Sequence, residues 1–242
     1  MKTRWLGVCA LFLSCALLCS SLFYALDGRF GAARTQTENA ALPVIVLDAG
    51  HGGEDGGAVG VNGVLEKDLN LSLARTLADL LRGAGYTVIE TRTEDKLLCE
   101  EGTPKGRKKQ QDLKNRVAIA ARYPDSVFIS IHMNTYPTPN CEGTQVWYST
   151  GHAASLALAQ AVQEKVCALL QPENHRKVKE STRGIYVLRY AATPAILVEC
   201  GFLSTPRECE KLCDEGYRKA LALAIFCAVG ENLRAGSCEN GT

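Results

Sequence analysis

The 242-residue chain lacks the sequence patterns that define several common ligand sites. It contains neither a GxGxxG segment nor a Walker lysine motif, so neither type of nucleotide-phosphate site is predicted. It has no CxxC pair, which removes the usual zinc-knuckle spacing. It also has no internal repeat, so no repeated modules extend the main domain. The net charge of +1 neither favours nor excludes an anionic partner, and no nucleic-acid partner is predicted.

Residues 1–26 are predicted to form an N-terminal membrane anchor. Leu6 to Leu26 carry no charge, and at ~1.5 Å per residue they would span about 30 Å, the thickness of a hydrocarbon core. Because Lys2 and Arg4 precede this stretch, the N-terminus should stay in the cytoplasm and the remaining chain should lie outside. A cleaved signal peptide is the main alternative. Residues 27–42 are polar and aperiodic, and they are predicted to be a flexible linker.

Residues 43–235 are predicted to form one α/β domain, with a C-terminal tail at 236–242. Apolar runs alternate with segments of helical periodicity, which is typical of a largely parallel sheet with helices on both faces. The predicted strands are Val44–Leu47, Tyr86–Glu90, Val127–Ile131, Thr144–Tyr148, Ile185–Leu188 and Ala195–Glu199. The predicted helices are Lys67–Leu81, Asp112–Arg122, Ala153–Leu170 and Arg207–Leu233. Thr91–Gln111 is predicted to be an exposed loop, whose KGRKK portion could alternatively contact an anionic polymer or lipid.

The eleven cysteines do not form a recognisable framework. Three of them lie in the predicted anchor, and Cys209 and Cys213 are four residues apart on a predicted helix. That spacing indicates neither a zinc knuckle nor a specific disulfide. Most of the remaining cysteines are therefore predicted to be small core residues.

Three hydrophobic runs each lead into a residue that can bind zinc or transfer a proton. VIVLDAGHGG leads to His51, VFISIHMN to His132 and PAILVECGFLS to Glu199, while Glu66 opens the helix predicted after the first run. The carboxyl ends of parallel strands surround one crevice, so these four side chains are expected to converge. Catalytic zinc takes three nitrogen or oxygen ligands from the protein and keeps a fourth position for water. Two histidines and one glutamate meet that requirement, and the other glutamate can move protons.

Alternatives to this site remain open from the residues alone. His51 and Glu54 have the HxxE spacing of zinc carboxypeptidases, so Glu54 could be the ligand in place of Glu66, and Asp55 is a further candidate. Taken alone, His132 could be a hydrogen-bonded core histidine, and Glu199 could form a structural salt bridge. The flexible glycines around Glu54 make it the poorer ligand, because fixed ligands need rigid support.

The motifs DAGHGGEDGGAVG, GVLEKDLNL, FISIHMN and PAILVECGFLS, in this order, resemble the type 3 family of zinc-dependent N-acetylmuramoyl-L-alanine amidases. The similarity covers Val44 to about Leu233. It implies that His51, Glu66 and His132 bind one Zn²⁺ and that Glu199 is the catalytic glutamate. The implied reaction is hydrolysis of the amide between N-acetylmuramic acid and L-alanine in peptidoglycan.

Candidate substrate contacts and a cellular role are also predicted. Asn134, Arg183 and Arg189 are the candidate substrate contacts. The basic segment, the anchor and the length are similar to the spore-cortex, germination-specific members, which implies formation of muramic-δ-lactam together with a downstream deacetylase and an accessory protein. The catalytic domain is expected on the extracytoplasmic side, in the space between mother cell and forespore. A zinc carboxypeptidase acting on stem peptides and a non-catalytic wall-binding protein are the alternatives.

Overall fold

The computed structural model describes residues 42–138, 140–181 and 183–239, with side chains to residue 234. The predicted anchor and all of the predicted linker except Leu42 lie outside these residues. The strands are β1 (Ile45–Ala49), β2 (Val88–Glu90), β3 (Val127–Asn134), β4 (Gln145–Tyr148), β5 (Lys179–Glu180) and β6 (Ala195–Phe202). The helices are α1 (Glu66–Gly83), α2 (Lys105–Ala121), α3 (Ala153–Leu170), α4 (Tyr186–Arg189), α5 (Pro206–Cys213) and α6 (Glu215–Glu239).

The strands form one mixed sheet in the order β2-β1-β3-β6-β4-β5. Four of the five pairings are parallel, and β4 runs antiparallel to β6. The inner strand β1 is buried along its whole length, as expected for a parallel strand covered on both faces. The prediction of an α/β domain with a largely parallel sheet is confirmed, and the antiparallel position of β4 makes the sheet mixed.

Helices cover both faces of the sheet, and successive side chains of each strand point to opposite faces. Ile45, Leu47, Ile129 and Ile131 belong to a core cluster that includes side chains of α1, α3 and α6. Val46 and Phe128 belong to a second cluster with α2 and α4. Helix α3 is long and apolar enough to cross a membrane by composition, but one side of it is packed in the first cluster.

Two predicted helix boundaries were wrong. The predicted helix Arg207–Leu233 is two helices, because Asp214 adopts an extended conformation (ψ 124°) after α5. Its side chain then accepts a hydrogen bond from the Tyr217 amide (2.7 Å) and caps the start of α6. The KGRKK segment, predicted as part of a loop, forms the first turns of α2, which begins at Lys105 and not at Asp112.

The predicted strand Ile185–Leu188 is also wrong, because these residues form the short helix α4. The Arg189 amide donates to the Ile185 carbonyl (3.0 Å), and the Tyr190 amide donates to that of Tyr186 (3.1 Å). Val187 and Leu188 are buried in the second core cluster. A short apolar run can therefore be one side of a short helix as well as a strand, and periodicity alone does not distinguish the two. The strand that pairs with β4 at one edge of the sheet is β5, which the sequence did not predict.

All seven cysteines whose side chains are described are unpaired. Cys200 and Cys209 are buried, whereas Cys99, Cys141, Cys167, Cys213 and Cys227 are only partly buried. The prediction that most cysteines are core residues is confirmed for Cys200 and Cys209, and Cys213 packs against the same core. The other four described cysteines are only partly buried, so the prediction is wrong for them.

Candidate active site

His51, Glu66 and His132 come together at the carboxyl end of the sheet. His51 follows β1, His132 lies in the adjacent strand β3, and Glu66 is the first residue of α1. Their ligand atoms all lie within 4.8 Å of one another. Glu66 lies between the two rings, with Oε2 3.2 Å from His51 Nε2 and Oε1 2.9 Å from His132 Nδ1. Two imidazoles and one carboxylate at this separation fit the donor set that zinc prefers.

The Glu66 carboxylate is oriented by donors that do not depend on a metal ion. Oε2 accepts the Ala58 amide (2.8 Å), and Oε1 accepts the Met133 amide (3.1 Å) and Asn70 Nδ2 (3.2 Å). Burial disfavours the charged carboxylate, but hydrogen bonds from His132 and His51 outweigh it and hold the pKa of Glu66 well below its usual range. The site therefore presents an ionised, pre-oriented oxygen ligand.

His51 is oriented through its other ring nitrogen. Nδ1 lies 2.8 Å from Asp55 Oδ2, and Lys109 contacts the same carboxylate oxygen. A proton on Nδ1 that is donated to Asp55 leaves Nε2 free to bind a metal. Burial disfavours the imidazolium, but the hydrogen bonds to Asp55 and Glu66 outweigh it and raise the pKa of His51 to about 9. A cation that binds at Nε2 must therefore displace a proton at neutral pH.

Two glycines allow the three side chains to approach so closely. A Cβ at Gly50 would lie 2.7 Å from His132 Cδ2 and closer still to Nε2 and Cε1. A Cβ at Gly57 would lie 2.5 Å from Glu66 Oε2 and 2.8 Å from His51 Cδ2, and Gly57 has φ +68°. The GHGGEDGG segment thus needs glycine where the backbone passes the three side chains.

Glu199 lies beside His132, since these two residues are partners in the register of β3 and β6. Among the described atoms, its Oε2 is buried and has no hydrogen-bond partner. Burial raises the pKa of Glu199 to about 7, and neighbouring Glu66 adds to the shift while His132 opposes it. A carboxyl group with this pKa can both accept and return a proton near neutral pH.

Glu199 opens into a cavity of about 240 Å³ that also reaches His51 and His132. Helix α2 forms one wall through Lys109 and Leu113, and residues 184–187 form another. The full lining is Asp48, Gly50, His51, Lys109, Asp112, Leu113, Arg116, His132, Gly184, Ile185, Tyr186, Val187, Leu197 and Glu199. The two rings and Glu199 therefore face a common space large enough for part of a ligand.

Glu54 lies apart from the three clustered side chains. Its carboxylate pairs with Lys108 at 3.0 Å, and within the described chain the group that could hold a metal contains Glu66 instead. Asp55, the other candidate ligand, contacts Nδ1 of His51, whereas Glu66 lies at Nε2, the other ring nitrogen.

The predicted substrate contacts occupy different positions. Asn134 Oδ1 accepts the Thr135 amide at 2.8 Å, and the Arg189 guanidinium lies 5.2 Å from the centre of the Tyr190 ring. Arg183 is exposed and precedes Gly184, which lines the cavity. Their roles as substrate contacts stay predictions.

Sequence reasoning missed three residues that support the site. Asn70 lies one helical turn after Glu66 and contacts it, so the (i, i+4) spacing could have indicated this role. Arg92 and Arg116 donate to the backbone around His51. Arg92 follows β2 and Arg116 lies in α2, so both are far from His51 in sequence. No local pattern marks them.

The fold and the site define an α/β protein with a candidate His-Glu-His metal site and an adjacent carboxylic acid. A family model for N-acetylmuramoyl-L-alanine amidase matches residues 45–231, which include all four of these side chains. The chain belongs to this family, as its motifs predicted, and it is a peptidoglycan amidase.

Individual relatives agree with this assignment. The chain is 38% identical over 191 residues to the germination-specific N-acetylmuramoyl-L-alanine amidase of Bacillus subtilis, which covers 76% of each chain. The structure of the CwlD amidase from Clostridioides difficile in complex with the GerS lipoprotein is 35% identical, with a TM-score of 0.76, and covers 80% of this chain and 99% of that chain. AmiC2 of Nostoc punctiforme is 30% identical, with a TM-score of 0.68, over 80% and 98% of the two chains.

Proposed function

We propose that this amidase is zinc-dependent, that His51, Glu66 and His132 hold the ion, and that Glu199 transfers the proton. One observation carries the proposal: three zinc-competent atoms lie within 4.8 Å of one another, beside a buried Glu199 oxygen with no partner in the described chain. When bound, zinc would polarise the amide carbonyl between N-acetylmuramic acid and L-alanine and lower the pKa of water toward ~7.

The residues of the chain supply the other parts of the reaction. Ionised Glu199 takes a proton from water and returns it to the leaving amine of L-alanine, a role typically worth ~10²–10⁴-fold in rate. Asp55 holds the ring of His51, and the amides of Ala58 and Met133 hold Glu66. These contacts fix the ligands before substrate arrives, so little reorganisation is needed during the reaction.

A muropeptide digest tests the reaction itself. Zinc-loaded full-length protein in mild detergent should release intact stem peptides with a free N-terminal L-alanine, which mass spectrometry identifies. A zinc carboxypeptidase would instead shorten the stem peptide from its other end. Release of single C-terminal amino acids with no free stem peptide would refute the proposed cleavage site.

Three glutamate variants separate the proposed roles. Glu199→Gln should keep zinc and lose most turnover, whereas Glu66→Ala should lose zinc affinity. Glu54→Ala is the control, because its carboxylate pairs with Lys108 on the surface and should affect neither property. If Glu54→Ala released the zinc and Glu66→Ala retained it, the carboxypeptidase-like ligand set would be the correct one.

We also propose a role in the spore cortex, based on the relative described as germination-specific. Cleavage of the stem peptide would expose muramic acid to a deacetylase, and the two steps together would give muramic-δ-lactam. A deletion strain should grow normally but form spores that lack the lactam and do not complete germination. Wild-type lactam content in those spores would eliminate this role without affecting the amidase assignment.

The proposed location is the outer face of a membrane, with the N-terminal segment as anchor. A linker of about 16 residues has a root-mean-square reach of ~20–24 Å, so the enzyme would act on peptidoglycan next to that membrane. The neighbour solved with the GerS lipoprotein supports an accessory lipoprotein as partner. Membrane fractionation and co-purification from sporulating cells test these two proposals, and recovery of the enzyme in the soluble fraction would refute the anchor.

A further inference from the structure

Two buried guanidinium groups bind three consecutive carbonyl groups of the turn that carries His51. The carbonyl of Ala49 accepts both Arg92 Nε and Arg116 Nη1, each at 2.8 Å. The Gly50 carbonyl accepts Arg92 Nη2 (3.0 Å), and the His51 carbonyl accepts Arg116 Nη2 (2.7 Å). Both arginines are nearly inaccessible, with 2% and 1% relative exposure.

This turn has a backbone conformation that needs support. His51 has φ +62°, and among the described residues it is the only residue other than glycine with a positive φ. The left-handed region costs an ordinary residue roughly 1–2 kcal/mol, so the surrounding structure must hold it there. Hydrogen bonds to the carbonyls of Ala49 and Gly50, which precede the His51 nitrogen, and to the carbonyl of His51 restrict the backbone torsions that set the direction of the ring.

Arg92 also connects this turn to the helix that carries Glu66. Its Nη2 donates to the Lys67 carbonyl at 2.8 Å, directly after Glu66 in sequence, and its Nη1 donates to the Glu94 carbonyl at 3.2 Å. Within the described chain it forms no salt bridge, so its acceptors are backbone carbonyls. One planar group thus sets the distance between the two segments that supply His51 and Glu66.

Arg116 connects the same turn to the sheet and to α2. It pairs with Asp48 of β1 (Nη1 to Oδ1, 2.6 Å) and with Asp112 of α2 (Nε to Oδ2, 2.8 Å). Asp48 is held in turn by Ser130 of β3, at 2.6 Å. Because β3 also carries His132, Arg116 links the His51 turn to the strand of the other histidine.

We propose that Arg92 and Arg116 are positioning residues that form the metal site before metal binds, by fixing the carbonyls of Ala49, Gly50 and His51. The inference rests on the proposed function of that site. A lysine at either position would keep the charge but could not bridge two carbonyls in a fixed plane.

The test uses full-length Arg92→Lys and Arg116→Lys proteins, with Arg82→Lys as the matched control. Arg82 also donates to a carbonyl, that of Val88 at 3.2 Å, and to Glu90, but it lies far along α1 from Glu66. Competition with a chromophoric chelator should show a ~10–100-fold loss of zinc affinity in the first two variants and none in the control. Ile225→Val, in the first core cluster, should lower the melting temperature without changing zinc affinity.

Hydrogen exchange of the metal-free proteins provides a readout that does not need zinc. The amides of Gly52 and Asp55 bond to each other's carbonyls at 2.9 and 3.0 Å, so they report directly on the turn. Their exchange should be at least ~10-fold faster in Arg92→Lys and Arg116→Lys than in Arg82→Lys, because the turn loses its fixed carbonyl partners.

Zinc affinity within about twofold of wild type in a folded Arg92→Lys protein would overturn the proposal, whatever the melting temperature. If wild-type protein bound no zinc, the proposed metal function would fail separately. The positioning role would then be decided by exchange, and unchanged exchange in the turn would overturn it. If Arg116→Lys does not fold, Arg92→Lys alone decides the outcome.

Discussion

Replacement of Gly50 by alanine tests whether the site depends on the approach of His132 to the backbone. The added Cβ would lie 2.7 Å from His132 Cδ2 and nearer to two other ring atoms. The Gly50 backbone cannot easily retreat, because its amide donates to Ile131 (3.0 Å) and its carbonyl accepts Arg92 and Asn70. The ring must therefore move by at least ~0.7 Å to regain ordinary carbon contact distances.

A shift of this size exceeds the ~0.5 Å within which a functional site must be held. We expect Gly50→Ala to weaken zinc binding by ~10–100-fold and to lower amidase turnover by ~10²-fold. Crowding should also cost about 1–3 kcal/mol of unfolding free energy. Chelator competition, muropeptide digestion and urea denaturation of the same preparation measure the three effects.

Gly83→Ala is the matched control, because Gly83 ends the same helix that Glu66 begins and has no atom within 4 Å of an added Cβ. Alanine there should stabilise α1 by up to ~1 kcal/mol and leave zinc affinity unchanged. A folded Gly50→Ala protein with wild-type zinc affinity would show that His132 does not need its observed position, and the reasoning about close approach would be refuted.

Removal of metal by a chelator should abolish activity, and about one equivalent of Zn²⁺ per chain should restore it; full activity in the metal-free protein would contradict the zinc assignment. Asp55→Asn should weaken zinc binding by ~10–100-fold through His51, measured by chelator competition, and unchanged affinity would exclude the orienting role. Asp48→Asn should cost ~3 kcal/mol of unfolding free energy at pH 7. Despite burial, Arg116, Ser130 and Thr91 hold the pKa of Asp48 below its usual range. The stabilisation is therefore complete above pH ~4 and is lost as pH falls further, so the variant and wild type should converge in acid denaturation.

Much of the site was predictable because His51, His132 and Glu199 lie near the carboxyl ends of strong hydrophobic strands. Ile45–Ala49, Val127–Asn134 and Ala195–Phe202 are the strands that apolar runs indicated, with differences of one to three residues at the ends. The carboxyl ends of neighbouring parallel strands necessarily meet at one edge of the sheet. Convergence of His51 and His132 followed from that rule, and Glu66 followed from its place at the start of the next helix.

The supporting contacts were not predictable, because they join segments through the strand order. Arg92 follows β2 and reaches Ala49 across 43 residues only because β2 lies beside β1. Arg116 reaches the His51 carbonyl across 65 residues because α2 lies along one wall of the cavity. Likewise, the antiparallel direction of β4 depends on the connection after β3, where the sequence shows no decisive signal.

The register between β3 and β6 determines whether Glu199 can act beside His132 at all. Ile129 pairs with Ile196 and Ile131 with Val198 on the face covered by α1, so His132 and Glu199 fall on the opposite, cavity face. A slip of one residue would turn Glu199 toward the apolar core, where an unpaired carboxylate is costly. The packing of these aliphatic pairs therefore fixes the position of the proposed proton-transfer residue. The register shift in β3 lies between His132 and Asn134, beyond the His132–Glu199 pair, and leaves that pair in place.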